Sequence, residues 1–183
     1  MLDSILNMVF SHCGIVTGSY VRDILVLGKE FTYDRDIDVL IPYSSIEKLA
    51  KELEGEFSAI TIVYDNDEDE EIAHYNFIIR DDNHEGEIAH HNFIIDVFAC
   101  GNDYCYLSPA DFDVNTLTWN GSEYGTWFRF SLADAEYYGD SFDTQNIIDR
   151  CLRKEAVFLI REWVDDNGLL RKSKLLSQGW KVL

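Results

Sequence analysis

In the stretch Asp34-Arg35-Asp36-Ile37-Asp38-Val39-Leu40-Ile41, acids occupy every other position of a segment that is otherwise apolar and strand-like. Side chains alternate between the two faces of a strand, so Asp36 and Asp38 share one face while Ile37, Val39 and Ile41 share the other. Aspartate is a poor strand former, and neighbouring carboxylates repel. A hard divalent cation between them relieves the repulsion, and Mg²⁺ is the usual ion where the other partner is a phosphate. Asp96, in Ile94-Ile95-Asp96-Val97-Phe98, is a third acid flanked by apolar residues. Two carboxylates on one strand and one on a neighbour form the donor set of two-metal phosphoryl or nucleotidyl transfer. The alternative is a sheet edge that carries solvated aspartates.

The elements that would position these acids are legible around them. Leu2 to Phe10 has helical spacing, and Cys13-Gly14-Ile15-Val16-Thr17-Gly18 reads as a short buried strand ending in a turn. Gly18-Ser19 lies where that strand gives way to a helix predicted from Ser19 to about Leu27, closed by Gly28. Small residues at a helix start let backbone N–H groups approach a phosphate; an ordinary tight turn is the competing reading. Arg22 near the head of that helix is either a phosphate contact or a structural ion-pair residue. Ser44-Ser45-Ile46-Glu47 has the capping-box pattern, and Ile46, Leu49, Ala50 and Leu53 follow at the spacing of an amphipathic helix. Phe57 to Tyr64 alternates like a strand.

Residues 65–71, Asp-Asn-Asp-Glu-Asp-Glu-Glu, read as a solvated acidic loop; they lack the glycine turn and ligand spacing of a calcium loop. The chain then nearly repeats itself, as Glu71-Ile-Ala-His-Tyr-Asn-Phe-Ile-Ile79 and Glu87-Ile-Ala-His-His-Asn-Phe-Ile-Ile95. These read as two antiparallel strands of one hairpin, with Asp96, Ile94 and Asn92 on one side and Phe93, Ile95 and Val97 on the other. The histidines have no partner at zinc spacing. Further on, Asn120-Gly121 marks a second hairpin, and residues 144–165 read as one long helix with Ile147, Ile148, Cys151, Leu152, Leu159 and Trp163 on a stripe. Gly168 is expected to break it ahead of a short basic helix.

The 183 residues are 46% hydrophobic with net charge −19, enough for one packed domain and contrary to an extended non-specific grip on nucleic acid. Residues 1–149 carry 7 Lys/Arg against 30 Asp/Glu, and residues 150–183 carry 8 against 4. The expected organisation is a body over 1–140 and a C-terminal helical segment over 141–183 packed on it, in an α+β fold with a mixed sheet and helices on one face. Either the acidic surface or the basic C-terminal helices could meet a protein partner. The four cysteines show no metal or disulfide spacing, the N-terminus reads as an amphipathic helix rather than a signal peptide, and no apolar run reaches the roughly 20 residues of a membrane span. A cytoplasmic protein without a membrane partner is expected.

Taken together, Gly18-Ser19-Tyr20-Val21-Arg22-Asp23-Ile24-Leu25, Gly28 and Asp36-Ile37-Asp38 resemble the first motif of the class II tRNA nucleotidyltransferases and bacterial poly(A) polymerases, in the polymerase β-type nucleotidyltransferase superfamily. Asp111-Phe112-Asp113-Val114-Asn115-Thr116-Leu117 is similar to their second motif, which contacts the nucleotide sugar. Ile148 to Arg153 more faintly resembles the helix that follows. The resemblance implies that Asp36, Asp38 and Asp96 ligate Mg²⁺ or Mn²⁺ and are the catalytic acids, with Asp96 assisting deprotonation of an acceptor hydroxyl. It also implies that Gly18, Ser19, Arg22, Asp111 and Asn115 bind the nucleoside triphosphate. Ser19 stands in place of the family's second glycine, and Pro109 and Ala110 in place of two arginines of the second motif. No acid-and-arginine base-selecting motif and no long helical body follow, and the acidic head speaks against CCA addition to tRNA. The implied activity is transfer of a nucleoside monophosphate from an NTP to a hydroxyl with release of pyrophosphate, to a small-molecule or protein acceptor in preference to RNA. The rival readings are a reduced nucleotide-binding or protein-interaction module, and an acidic structural protein.

Overall fold

A computed structural model of the chain describes residues 1–32, 35–63, 72–80, 92–101, 111–126, 143–159 and 166–183. Strand β1 (Ile15–Thr17) follows helix α1 (Leu2–Ser11), and a π-type helical turn over Tyr20–Val26 leads to β2 (Asp36–Pro42). Helix α2 (Tyr43–Glu56), β3 (Ser58–Val63), β4 (Ile72–Arg80) and β5 (Asn92–Cys100) complete the first half. A 3-10 turn at Asp113–Asn115 precedes β6 (Leu117–Trp119) and β7 (Tyr124–Thr126). The end of the chain holds α3 (Thr144–Arg153), β8 (Glu155–Ala156), α4 (Asp166–Ser177) and β9 (Lys181–Val182).

The described residues form a seven-stranded sheet of order β3-β4-β5-β2-β1-β6-β7. It is mixed: β2 and β5 run parallel and the other neighbours antiparallel. The expected α+β class with a mixed sheet is therefore the observed one. Alternation works as anticipated: Ile37, Val39 and Ile41 of β2 and Phe93, Ile95 and Val97 of β5 are buried, together with Ile46, Leu49 and Leu53 of α2 and Ile5, Leu6 and Val9 of α1. Removing that apolar surface from water drives the packing, at about 25 cal/mol per Å². It also leaves the odd face of β2, with Asp36 and Asp38, turned away from this core.

Several expectations are corrected. The capping box does not form: α2 starts at Tyr43 with Pro42 as its N-cap, which makes no side-chain cap bond. Proline presets its own φ and β2 runs directly into the helix, so the turn is complete before Ser44 is reached. The two antiparallel strands read from the repeat are present as β4 and β5, with β5 carrying on through Asp96 to Cys100; residues 87–91 of the second copy lie outside the described residues. The long helix over 144–165 stops at Arg153, where Lys154 takes a left-handed cap (φ 54). Beyond it the chain is extended and bonded to distant segments: Leu183 N to Ala156 O, Leu159 N to Asp111 O, and Phe112 bridged to Phe158. Gly168 lies inside α4 and does not break it. The acidic loop 65–71, His90, His91, Asp34, Pro109 and Ala110 lie outside the described residues.

A candidate metal and nucleotide site

Strand pairing assembles the three acids. In the parallel β2–β5 register, Asp38 lies opposite Asp96 and Asp36 opposite Ile94. Each of Asp36, Asp38 and Asp96 offers a carboxylate oxygen within 4.8 Å of the other two. Gly18 closes the site from the β1 side. Thr17 pairs with Asp38 across β1–β2, and the chain then turns through Gly18 at φ +68. A Cβ on Gly18 would run into the Asp38 carboxylate, so glycine is required there by both backbone and space.

Burial, followed by the charges of Asp36 and Asp96, pushes the Asp38 carboxyl up to about 7, against a smaller opposing pull from Arg171 and Arg22. Burial and Asp36 raise Asp96 too, opposed by His74 and by a hydrogen bond from Asn76. Asn76 Nδ2 donates to Asp96 Oδ1 at 2.5 Å, from the position directly opposite on β4, and His74 Nε2 lies 3.8 Å from the same oxygen. Three hard oxygen donors whose negative charge is uncompensated fit a divalent cation, and this chain's own residues could hold one.

Behind the acids lies a second polar cluster. Arg22 is buried; it forks onto Asp23 through Nε and Nη2, both at 3.0 Å, and its Nη1 donates to Asn115 Oδ1 at 2.5 Å. Its guanidinium also lies over the Trp180 ring, 5.4 Å from the centroid. Lys29 and Arg35 complete the shell around Asp23 at 3.2 and 2.9 Å. Burial works against the charge of Asp23, but the hydrogen bonds from Arg22, Arg35 and Lys29 outweigh it and hold the carboxyl well below the usual range. The Asp23 shell therefore ties Arg35, the residue just before Asp36, to the helical turn that follows Gly18-Ser19.

Asn115 Nδ2 in turn donates to Asp111 Oδ1 at 3.1 Å, and Arg171 Nη1 of α4 reaches Asp111 Oδ2 at 3.4 Å. Asp113, fully buried, has a different role. It accepts from Arg150 Nε of α3 and from the backbone N–H of Val157, locking the 111–117 segment to the C-terminal strands. The structure thus brings together Gly18, Asp36, Asp38 and Asp96, sets Ser19 at the head of the helical turn, and links Arg22, Asn115 and Asp111 in one hydrogen-bonded row. Sequence reasoning missed Asn76, His74 and Arg171. Only the first two carried a signal, through their place in the repeated segment that pairs with β5.

No family model and no curated protein sequence matches the chain. One solved structure that it resembles is a tRNA-processing enzyme in an apo form, with a TM-score of 0.53 and 17% identity over 98% of this chain. The chain spans 42% of that enzyme's length. At this identity the likeness speaks for the fold alone, an α+β arrangement around a mixed sheet. No helix among the described residues is long and apolar enough to cross a membrane.

Proposed function

We propose that the protein is a metal-dependent nucleotidyltransferase that moves a nucleoside monophosphate from an NTP to a hydroxyl acceptor. The observation that carries this reading is the placement of Asp36, Asp38 and Asp96 on adjacent parallel strands with the backbone of Gly18 against Asp38. Bound Mg²⁺ or Mn²⁺ would supply neutralisation of the triphosphate and a lowered pKa for the attacking hydroxyl. The chain's residues would do the rest. Gly18 lets the chain pass close against Asp38, Ser19 heads the helical turn beside the acids, and Arg22 and Asn115 would fix the wall on which the nucleotide rests. In the transfer, the acceptor oxygen bonds to the α-phosphorus and the bridging bond to the β-phosphate breaks. Pyrophosphate leaves with that electron pair, and the hydroxyl proton passes to Asp96.

The acidic body favours a small molecule or a protein as acceptor over RNA. Incubation with Mg²⁺ and each NTP, labelled at the α-phosphate, against a panel of hydroxyl acceptors should give labelled product and stoichiometric pyrophosphate. The same protein with Asp96→Asn should give neither. Loss of the second motif's arginines at Pro109 and Ala110 favours a second reading, nucleotide binding without turnover. Tight NTP binding with no pyrophosphate from any acceptor would select it.

A further inference from the structure

A triphosphate that approaches three carboxylates needs cations from the protein, and this chain lacks the two arginines at 109 and 110. The cations around the Asp23 shell are already engaged. Arg22 is buried and forked onto Asp23, Lys29 and Arg35 are bonded to the same carboxylate, and Arg150 is buried against Asp113. Arg171 differs from all of these. Its side chain is 67% exposed, and its hydrogen bond to Asp111 is long, at 3.4 Å. Only the arginine side of the pair is exposed, Asp111 being buried, and at 3.4 Å the contact is weak enough to be exchanged. Asp111 would not be stranded by the exchange, because the Phe112 N–H and Asn115 Nδ2 both still donate to it.

The position of Arg171 is fixed by the fold. Leu175 near the end of helix α4 is buried, and after the helix the chain turns through Gly179 at φ +82 to Trp180, whose ring lies beneath the Arg22 guanidinium. Strand β9 then pairs with β8, and Lys181 N bonds to Lys154 O. The basic helix is thereby tied to the same residue that anchors Asn115 and the turn after Gly18. Through Asp111 and Asn115, Arg171 is joined to the hydrogen-bonded row that reaches Arg22 beside the turn after Gly18.

We propose that Arg171 is a substrate-contact residue that swings from Asp111 onto the triphosphate of the bound nucleotide. This rests on the nucleotidyltransferase reading and deepens it. The planar guanidinium can take two phosphate oxygens at once, which an ammonium cannot. The basic C-terminal segment is then part of the nucleotide site, and the opposite charges of the two parts of the chain have a common purpose.

The test is calorimetric titration of ATP and of AMP, each with Mg²⁺, into the full chain and into Arg171→Gln, Arg171→Lys and Arg171→Ala. Glutamine keeps a donor for Asp111 and removes only the charge, so it covers the case in which the alanine variant is poorly folded. Expected are a loss of about tenfold or more in ATP affinity for Gln and Ala, partial recovery for Lys, and AMP affinity within about twofold throughout. ATP affinity unchanged in Arg171→Gln, or ATP and AMP weakened equally, would overturn the assignment while leaving the nucleotide site standing. Failure of the unaltered chain to bind ATP would overturn both.

Discussion

Asp38 and Asp96 stand opposite one another across the parallel β2–β5 pair of the seven-stranded sheet, with Asp36 two positions along the same face. A parallel pair needs a crossover connection, here through α2, β3 and β4, so the two acids are 58 positions apart in the chain yet carry their carboxylates side by side.

The Asp38 carboxyl lies at about 7 in the fold and at the ordinary 3.8 when unfolded, so the folded state holds the proton more tightly. Stability from this group is therefore full below pH 3.8 and falls as the pH rises to about 7. Metal-free Asp38→Asn should melt higher than the unaltered chain at pH 8, by on the order of 1 kcal/mol or more, with the difference fading towards pH 4. Mg²⁺ competes with that proton, so the rise in melting temperature on adding Mg²⁺ should be larger at pH 8 than at pH 5.5. Thermal melts at the two pH values check both; an Mg²⁺ effect that is greater in acid would contradict the charge relationship.

Gly18→Ala should destabilise the protein by about 1–3 kcal/mol and abolish the Mg²⁺-dependent rise in melting temperature, because the new Cβ meets Asp38. Gly28 has a similar positive φ, 63, but open space around it. Gly28→Ala should cost about 1–2 kcal/mol, from backbone strain alone, and leave the Mg²⁺ response intact. Denaturation of the two variants with and without Mg²⁺ separates backbone strain from damage to the site.

Arg150→Met should cost about 3–5 kcal/mol in urea denaturation, since it leaves Asp113 charged and buried without its partner. The double variant Arg150→Met/Asp113→Leu should recover part of the loss. A cost below about 1 kcal/mol for the single change would mean that this pair does not hold the 111–117 segment to α3.

Asn76→Leu removes the hydrogen bond that lowers Asp96. Mg²⁺ affinity should fall about tenfold at neutral pH, as for other residues that hold a metal ligand in place. The pH at which Mg²⁺ binding reaches half its maximum should move upward. Calorimetry across pH 6 to 9 reads both, and a uniform loss with no movement along the pH axis would give Asn76 a merely structural part.

The acids were legible because a period of two is a local property: Asp36 and Asp38 fall on one face whatever the rest of the chain does, and Asp96 betrays itself by its apolar neighbours. The stripe Ile46, Leu49 and Leu53 was legible for the same reason. What was hidden depends on contacts between distant segments. The end of α3 at Arg153 is set by extended pairing of residues 155–159 with 111–113 and 181–183, which no local spacing encodes. Gly168 costs a helix about 1 kcal/mol and is tolerated inside α4. Arg22 was left open between a phosphate contact and an ion pair; its fork onto Asp23 and its bond to Asn115, 93 positions away, are visible only in three dimensions.

The most direct measurement is calorimetric titration of ATP, CTP, GTP and UTP, with and without Mg²⁺, into the unaltered chain and into Asp36→Ala/Asp38→Ala shown by circular dichroism to be folded. The account requires binding of at least one nucleotide that depends on Mg²⁺ and disappears, by about 100-fold or more, in the double variant. Binding that is indifferent to both the metal and the two aspartates, or no binding at all by the folded unaltered chain, would contradict it.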